Sequence, residues 1–164
     1  MQALLHRLHR LDALVLTSEA VPDKEILPYL RNVASLAQQA AADYSCASIL
    51  AGQGSEADDL GDDQVVWLGP GDFQRPENIL AAMGLDTDTE IHRISLTQHG
   101  LPPTLHVTGP NTALDKWGEE MERLEDRYCF RISVPQESQV LFFLAGSLPS
   151  SDWVVLVGAG VSSD

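Results

Sequence analysis

The chain has 164 residues, of which 24 are acidic and 10 basic, for a formal net charge of −14; hydrophobic residues make up 44 % of it. That apolar content excludes a disordered chain and is enough for one domain, residues 1–164, with a substantial core. The negative field repels phosphate backbones and anionic lipid, so neither nucleic acid nor a membrane surface is an expected partner.

The N-terminal stretch MQALLHRLHRLDALVL is interrupted by charge and histidine, unlike a signal peptide. No apolar run approaches the roughly 20 residues of a membrane span, and a cytoplasmic protein is expected. Leu4, Leu8, Leu11 and Val15 fall on one stripe, widened by Leu5 and Leu14, which predicts a first helix over about residues 2–16. Such a helix either packs on its own domain or pairs with its twin as a dimerisation and signalling helix. A second helix is predicted from about Pro22 to Ala42. Ile26, Tyr29, Leu30, Val33, Leu36, Ala37 and Ala40 share one face, and Pro28 sits near the first turn, where a missing donor is tolerated.

An apolar strand, Cys46–Ala51, is expected next, followed by a Gly-rich acidic loop over residues 52–63. Asp58, Asp59, Asp62 and Asp63 lack the alternation of a calcium loop, so the loop reads as a solvated hairpin connection. Gln64–Leu68 is a predicted strand, ended by a turn at Gly69–Asp72. A short helix over Pro76–Met83 is stopped by Gly84. Strands are predicted at Glu90–Thr97 and Thr104–Thr108. A third helix spans Thr112–Tyr128, with Thr112 as N-cap, Asp115 as its capping-box partner, and Leu114, Trp117, Met121, Leu124 and Tyr128 on one face. Three strands follow, Cys129–Val134, Val140–Ala145 and Trp153–Val157. Their short connections imply antiparallel hairpins. The sum is an α+β fold: an antiparallel sheet of about six to seven strands packed with N-terminal and inserted helices.

Candidate chemistry is sparse. His92 and His106 approach one another if their strands pair, and His99 lies in the turn between them. Without an H-x-x-x-H or HExxH spacing they read as core or surface histidines. Gly52-Gln53-Gly54-Ser55 misses the phosphate-loop patterns, and Gly158-Ala159-Gly160 has only four residues after it, too few for the helix a dinucleotide loop feeds. Cys46 and Cys129 are expected to be buried free thiols, with a disulfide requiring neighbouring strands. Arg7, Arg10, Arg123, Arg127 and Arg131 form no stripe with interleaved aromatics. No catalytic residue, metal ligand or cofactor is therefore assigned.

Residues 22–51, a helix ending in Ala40-Ala41-Ala42-Asp43-Tyr44 and feeding Cys46–Ala51, resemble the entry into a GAF domain. Tyr128–Pro135 resembles that family's later strand ending in Val-Pro, with Val140–Ala145 as the next strand; together these cover about a third of the chain. The resemblance implies a GAF- or PAS-like regulatory domain that binds a small molecule or a protein partner, often as a homodimer through flanking helices. The family's C-terminal helix is missing, Ser147–Val157 adds a strand, and neither a bilin cysteine nor a cyclic-nucleotide motif is legible. Three functional readings follow. The first is a non-catalytic signalling domain in which a ligand or partner shifts the N-terminal helix. The second is an acidic adaptor or assembly protein for a basic protein partner. The third is a small enzyme using His92 or His106 as an acid–base group.

Overall fold

The computed structural model describes residues 14–16, 24–44, 48–51, 63–85, 89–96, 109–133 and 139–161. They form six strands, β1 (Leu14–Leu16), β2 (Gln64–Pro70), β3 (Ile91–Ile94), β4 (Glu125–Ser133), β5 (Gln139–Ser147) and β6 (Asp152–Val161). Three helices accompany them, α1 (Ile26–Asp43), α2 (Pro76–Ala82) and α3 (Thr112–Met121). The strands make one open sheet in the order β1-β2-β6-β5-β4-β3. Five of them, β2 to β6, run antiparallel to their neighbours, and the three-residue β1 joins the β2 edge in parallel. Among the described residues no helix is long and apolar enough to cross a membrane.

The centre of the sheet follows from composition. Val140–Ala145 and Trp153–Val157 are unbroken apolar runs, as strands buried on both faces require, and every residue of both is buried. On one face α1 and α3 pack over Val65, Trp67, Phe142, Leu144, Val154 and Leu156. On the other, α2 and the turn after it bring Ile79, Leu80, Met83 and Leu85 against Val66, Leu68, Phe130, Phe143 and Val155. β4 alternates instead: Cys129 joins the first core, while Phe130 and Ile132 join the second.

The predicted apolar face of α1 is the buried face, extended by Ala34 and Ala41. It meets α3 through the Tyr29 hydroxyl, which donates to the Glu120 carbonyl at 2.8 Å, with the Arg123 guanidinium 4.7 Å above the Tyr29 ring. Helix α2 runs from Pro76 as predicted, and Gly84 at φ 73° follows its end.

Several sequence expectations are corrected. Leu14–Leu16 is a strand, not the end of a helix, because this apolar triplet finds β2 as a partner; residues 1–13 lie outside the described residues. Helix α3 stops at Met121 rather than Tyr128, and Asn111, not Thr112, is its N-cap, accepting from the Leu114 amide at 3.0 Å. Residues 125–128 belong to β4, where Asp126 takes φ 54° at a bulge opposite β5. The Cys46–Ala51 strand is replaced over residues 48–51 by a turn. β6 runs through Gly158–Gly160 to Val161, past the predicted end at Val157. Thr104–Thr108 lies outside the described residues. Among the described residues five of the seven predicted strands are present, with β1 added.

Cys129 is a free thiol, 1 % exposed, and burial pushes it up to about 12 from an ordinary 9.0. The unfolded chain releases that proton near pH 9 while the folded chain keeps it. Between pH 9 and about 12 the folded state therefore binds more protons, and stability falls as pH rises. Cys129 alone contributes about 1.4 kcal/mol per pH unit in that window. Burial also raises Tyr29 and Tyr128 above their ordinary 10.0, which adds in the same direction at higher pH. Urea unfolding at pH 8 to 11 checks this. The midpoint is expected to hold to pH 9 and then drop, with a shallower drop in Cys129→Ala.

Candidate functional site

Two places in the fold concentrate polar and aromatic groups. The first is the corner where β3, β4 and the β2–α2 connection meet. Register puts Arg93 of β3 opposite Phe130 of β4, and Phe130 opposite Phe143 of β5. Phe130 and Phe143 stack with centroids 4.6 Å apart and planes 4° from parallel. Tyr128, two residues from Phe130 on the same strand face, stacks on it at 5.8 Å, and the Arg93 guanidinium lies 5.0 Å above the Tyr128 ring. Trp153 meets both Tyr128 and Phe73 edge-on, at 6.5 and 6.4 Å. The Tyr128 hydroxyl donates to the Phe73 carbonyl at 2.5 Å, tying β4 to the connection that leads into α2. Arg93 Nη2 reaches the Gln74 carbonyl at 3.5 Å, and the Asn78 amide donates to the Asp72 carbonyl at 2.6 Å.

Beside this stack lies an open hollow of about 630 Å³ lined by Arg75, Pro76, Glu77, Asn78, Ile91 and Arg93. Arg75, Glu77 and Arg93 are exposed, Asn78 and Ile91 are half-buried and Pro76 is buried. Among the described lining residues two guanidiniums stand against one carboxylate, a net charge of +1. Among the described residues the ion pairs are His92 with Glu90 and Arg123 with Glu120, so neither Arg75 nor Arg93 has a carboxylate partner among them. The arrangement can bind an oxyanion: charge-assisted donors share the hollow with apolar side chains.

The second place is a buried polar knot. Asp63, 3 % exposed, accepts from the Ser48 hydroxyl at 2.5 Å and from the Ile49 amide at 2.9 Å, and Ser48 Oγ accepts from the Ala51 amide at 2.9 Å. A Cβ on Gly158 would lie 2.5 Å from Asp63 Oδ1 and 3.0 Å from Leu50 Cβ, and would also overlap Ser48 Oγ. Glycine in β6 is thus the floor on which the 48–51 turn sits. Every group in the knot is used in holding the chain, which makes it structural.

The chain matches no family model and no curated sequence.

The other sequence-predicted candidates disperse. His92 is exposed, 3.5 Å from Glu90, with Arg131 as its cross-strand neighbour; His99 and His106 lie outside the described residues. Asp63 is buried in the knot rather than solvated, and Asp58, Asp59 and Asp62 lie outside the described residues, as do Gly52–Ser55 and Cys46. Among the described residues no three His, Cys, Asp or Glu side chains gather closely enough to hold a metal. Gly69, expected in a turn, sits at φ 79° in the irregular pairing of β2 with β6. Sequence reading missed Arg75 and Arg93. They are 18 positions apart, and only the β3–β4 pairing and the start of α2 bring them to one hollow.

Proposed function

We propose that this chain is a non-catalytic signalling or regulatory domain of GAF-like build that senses a small ligand. The observation that carries this reading is the hollow between α2 and β3, lined by two guanidiniums that lack a carboxylate partner among the described residues, beside an aromatic stack anchored in the core. A ligand held there touches both the residue preceding α2 and the edge strand β3. Its binding favours one placement of α2 on the sheet over others, and a protein partner or a second copy of the chain reads that placement. Leu14–Leu16, the end of the helix expected over residues 2–16, is a strand, and residues 1–13 lie outside the described residues.

The adaptor reading has one feature in its favour: Asp115, Glu119, Glu122, Glu125 and Asp126 are all exposed along α3 and the start of β4. Binding to a basic protein that weakens steeply with salt would favour it. The sensing reading is tested by a thermal-shift screen of anionic, cationic and neutral small molecules on the full chain, each stabilising compound then being recovered. A ligand at about 100 times its Kd adds about 2.7 kcal/mol, which raises Tm by roughly 5–10 °C for a chain of this size. The expected outcome is such a rise with the compound recovered unchanged. A compound consumed on incubation contradicts the non-catalytic part, and a screen without any rise contradicts the sensing part.

A further inference from the structure

We propose that the hollow between α2 and β3 is a binding site for a small organic anion. Its carboxylate or phosphate group is held by Arg75 and Arg93, and its apolar body rests on Pro76 and Ile91. The proposal deepens the ligand-sensing reading above and rests on it.

Three observations carry it. First, this is a chain of net charge −14 with 10 basic residues, so its overall field disfavours anions and any anion site needs a local excess of positive charge. Among the described residues the hollow has such an excess: Arg75 and Arg93 share its lining with one carboxylate, Glu77, and neither is in an ion pair there. Second, Arg93 is held in place before any ligand arrives. Its guanidinium lies over Tyr128, whose ring stacks on Phe130 and whose hydroxyl is fixed to the Phe73 carbonyl. Phe130 in turn stacks on the fully buried Phe143. A surface arginine normally loses much rotamer freedom on binding; one stacked on a ring that is anchored in the core has already lost part of it. Third, the lining is mixed. Pro76 and Ile91 are apolar and Asn78 carries an amide.

The role of Glu77 fixes the ligand's charge. With one carboxylate among the described lining residues, their net +1 matches a single oxyanion and works against polyanions such as a triphosphate. A ligand with one acidic group on an apolar or aromatic body is the class that uses all of these features.

The test is isothermal titration of the full chain at low ionic strength with two probes, sodium benzoate and phenyl phosphate. Saturable one-to-one binding of at least one probe is expected. Arg75→Gln and Arg93→Gln are each expected to weaken it about tenfold, the cost of losing a charged hydrogen bond. Glu77→Gln is expected to tighten it about two- to fivefold, the scale of one exposed charge interaction; a merely structural role gives no such gain. Arg131→Gln, on the opposite face of β4, leaves affinity unchanged. Binding of benzoate alone assigns a carboxylate ligand, and binding of phenyl phosphate alone a phosphate ester; binding of both assigns the oxyanion as the shared determinant. Absence of saturable binding by either probe, or unchanged affinity in Arg75→Gln and Arg93→Gln, overturns the proposal. Release of phenol and phosphate would leave the site standing and overturn the non-catalytic reading. Stabilisation by a neutral compound with neither probe bound would do the reverse.

Discussion

Gly158→Ala is expected to destabilise the chain by about 3 kcal/mol, seen as a Tm lower by roughly 6–12 °C and an earlier urea midpoint. Two effects oppose each other at this position. Alanine reduces the conformational freedom of the unfolded chain, a gain of about 0.5–1 kcal/mol. Against it, the new methyl meets the hydrogen-bonded Asp63 carboxylate and Ser48 hydroxyl and the Leu50 Cβ, not the free end of a long side chain. Making room separates Asp63 from Ser48 or from the Ile49 amide, and each buried group so orphaned costs about 1–3 kcal/mol. The steric term wins. Asp63→Ala is expected to cost a similar amount by removing the acceptor outright. Gly160→Ala should cost less, because its methyl would meet Ala51 Cβ at 3.1 Å and the Phe142 ring at 3.2 Å, contacts that small shifts relieve. A Gly158→Ala chain as stable as the parent would show that the 48–51 turn does not rest on β6 as described.

Phe143→Ala is expected to cost about 3–5 kcal/mol, the range for emptying an aromatic site in a packed core. Phe143 is fully buried in β5, with Phe130 stacked on it in parallel. Its loss also has a consequence at the surface. The row Phe143, Phe130, Tyr128, Arg93 is continuous from core to guanidinium, so a cavity at its base loosens the ring that positions Arg93. At low temperature, where the variant is still folded, affinity for benzoate or phenyl phosphate should fall although no ligand-contacting residue has changed. Phe142→Ala, on the opposite face of the sheet, should lower stability without that loss. Denaturant unfolding together with titration separates the two effects.

Much of the scaffold was legible because its residues act through local pattern. The face of α1 has helical spacing, and β5 and β6 are continuous apolar runs that only the middle of a two-sided sheet accommodates. The failures occur where a distant partner decides. Leu124 and Tyr128 continue the helical spacing of α3, yet residues 125–133 pair with β5, and aromatic and β-branched residues such as Tyr128, Phe130 and Ile132 prefer that pairing. Cys46–Ala51 has strand-like composition. Ser48, however, bonds to the Ala51 amide three residues on, and Asp63 takes the Ile49 amide that a ladder would have used. Leu14–Leu16 belongs to a helical stripe in sequence and to β2 in space. The candidate site was not legible at all. Phe73, Arg75, Arg93 and Tyr128 are spread over 56 positions, and a search for basic stripes within a short window passes over them.

The measurement that bears most directly on ligand sensing is an NMR titration of phenyl phosphate into the uniformly labelled full chain, recording amide shifts and the phosphorus spectrum together. Saturable shifts confined to residues 73–78 and 91–94 and the adjoining part of β4 are predicted, with the phosphate ester signal unchanged over a day. Shifts scattered over the surface without saturation, or a growing signal of inorganic phosphate, would contradict a non-catalytic domain that holds a small anion at this corner of the sheet.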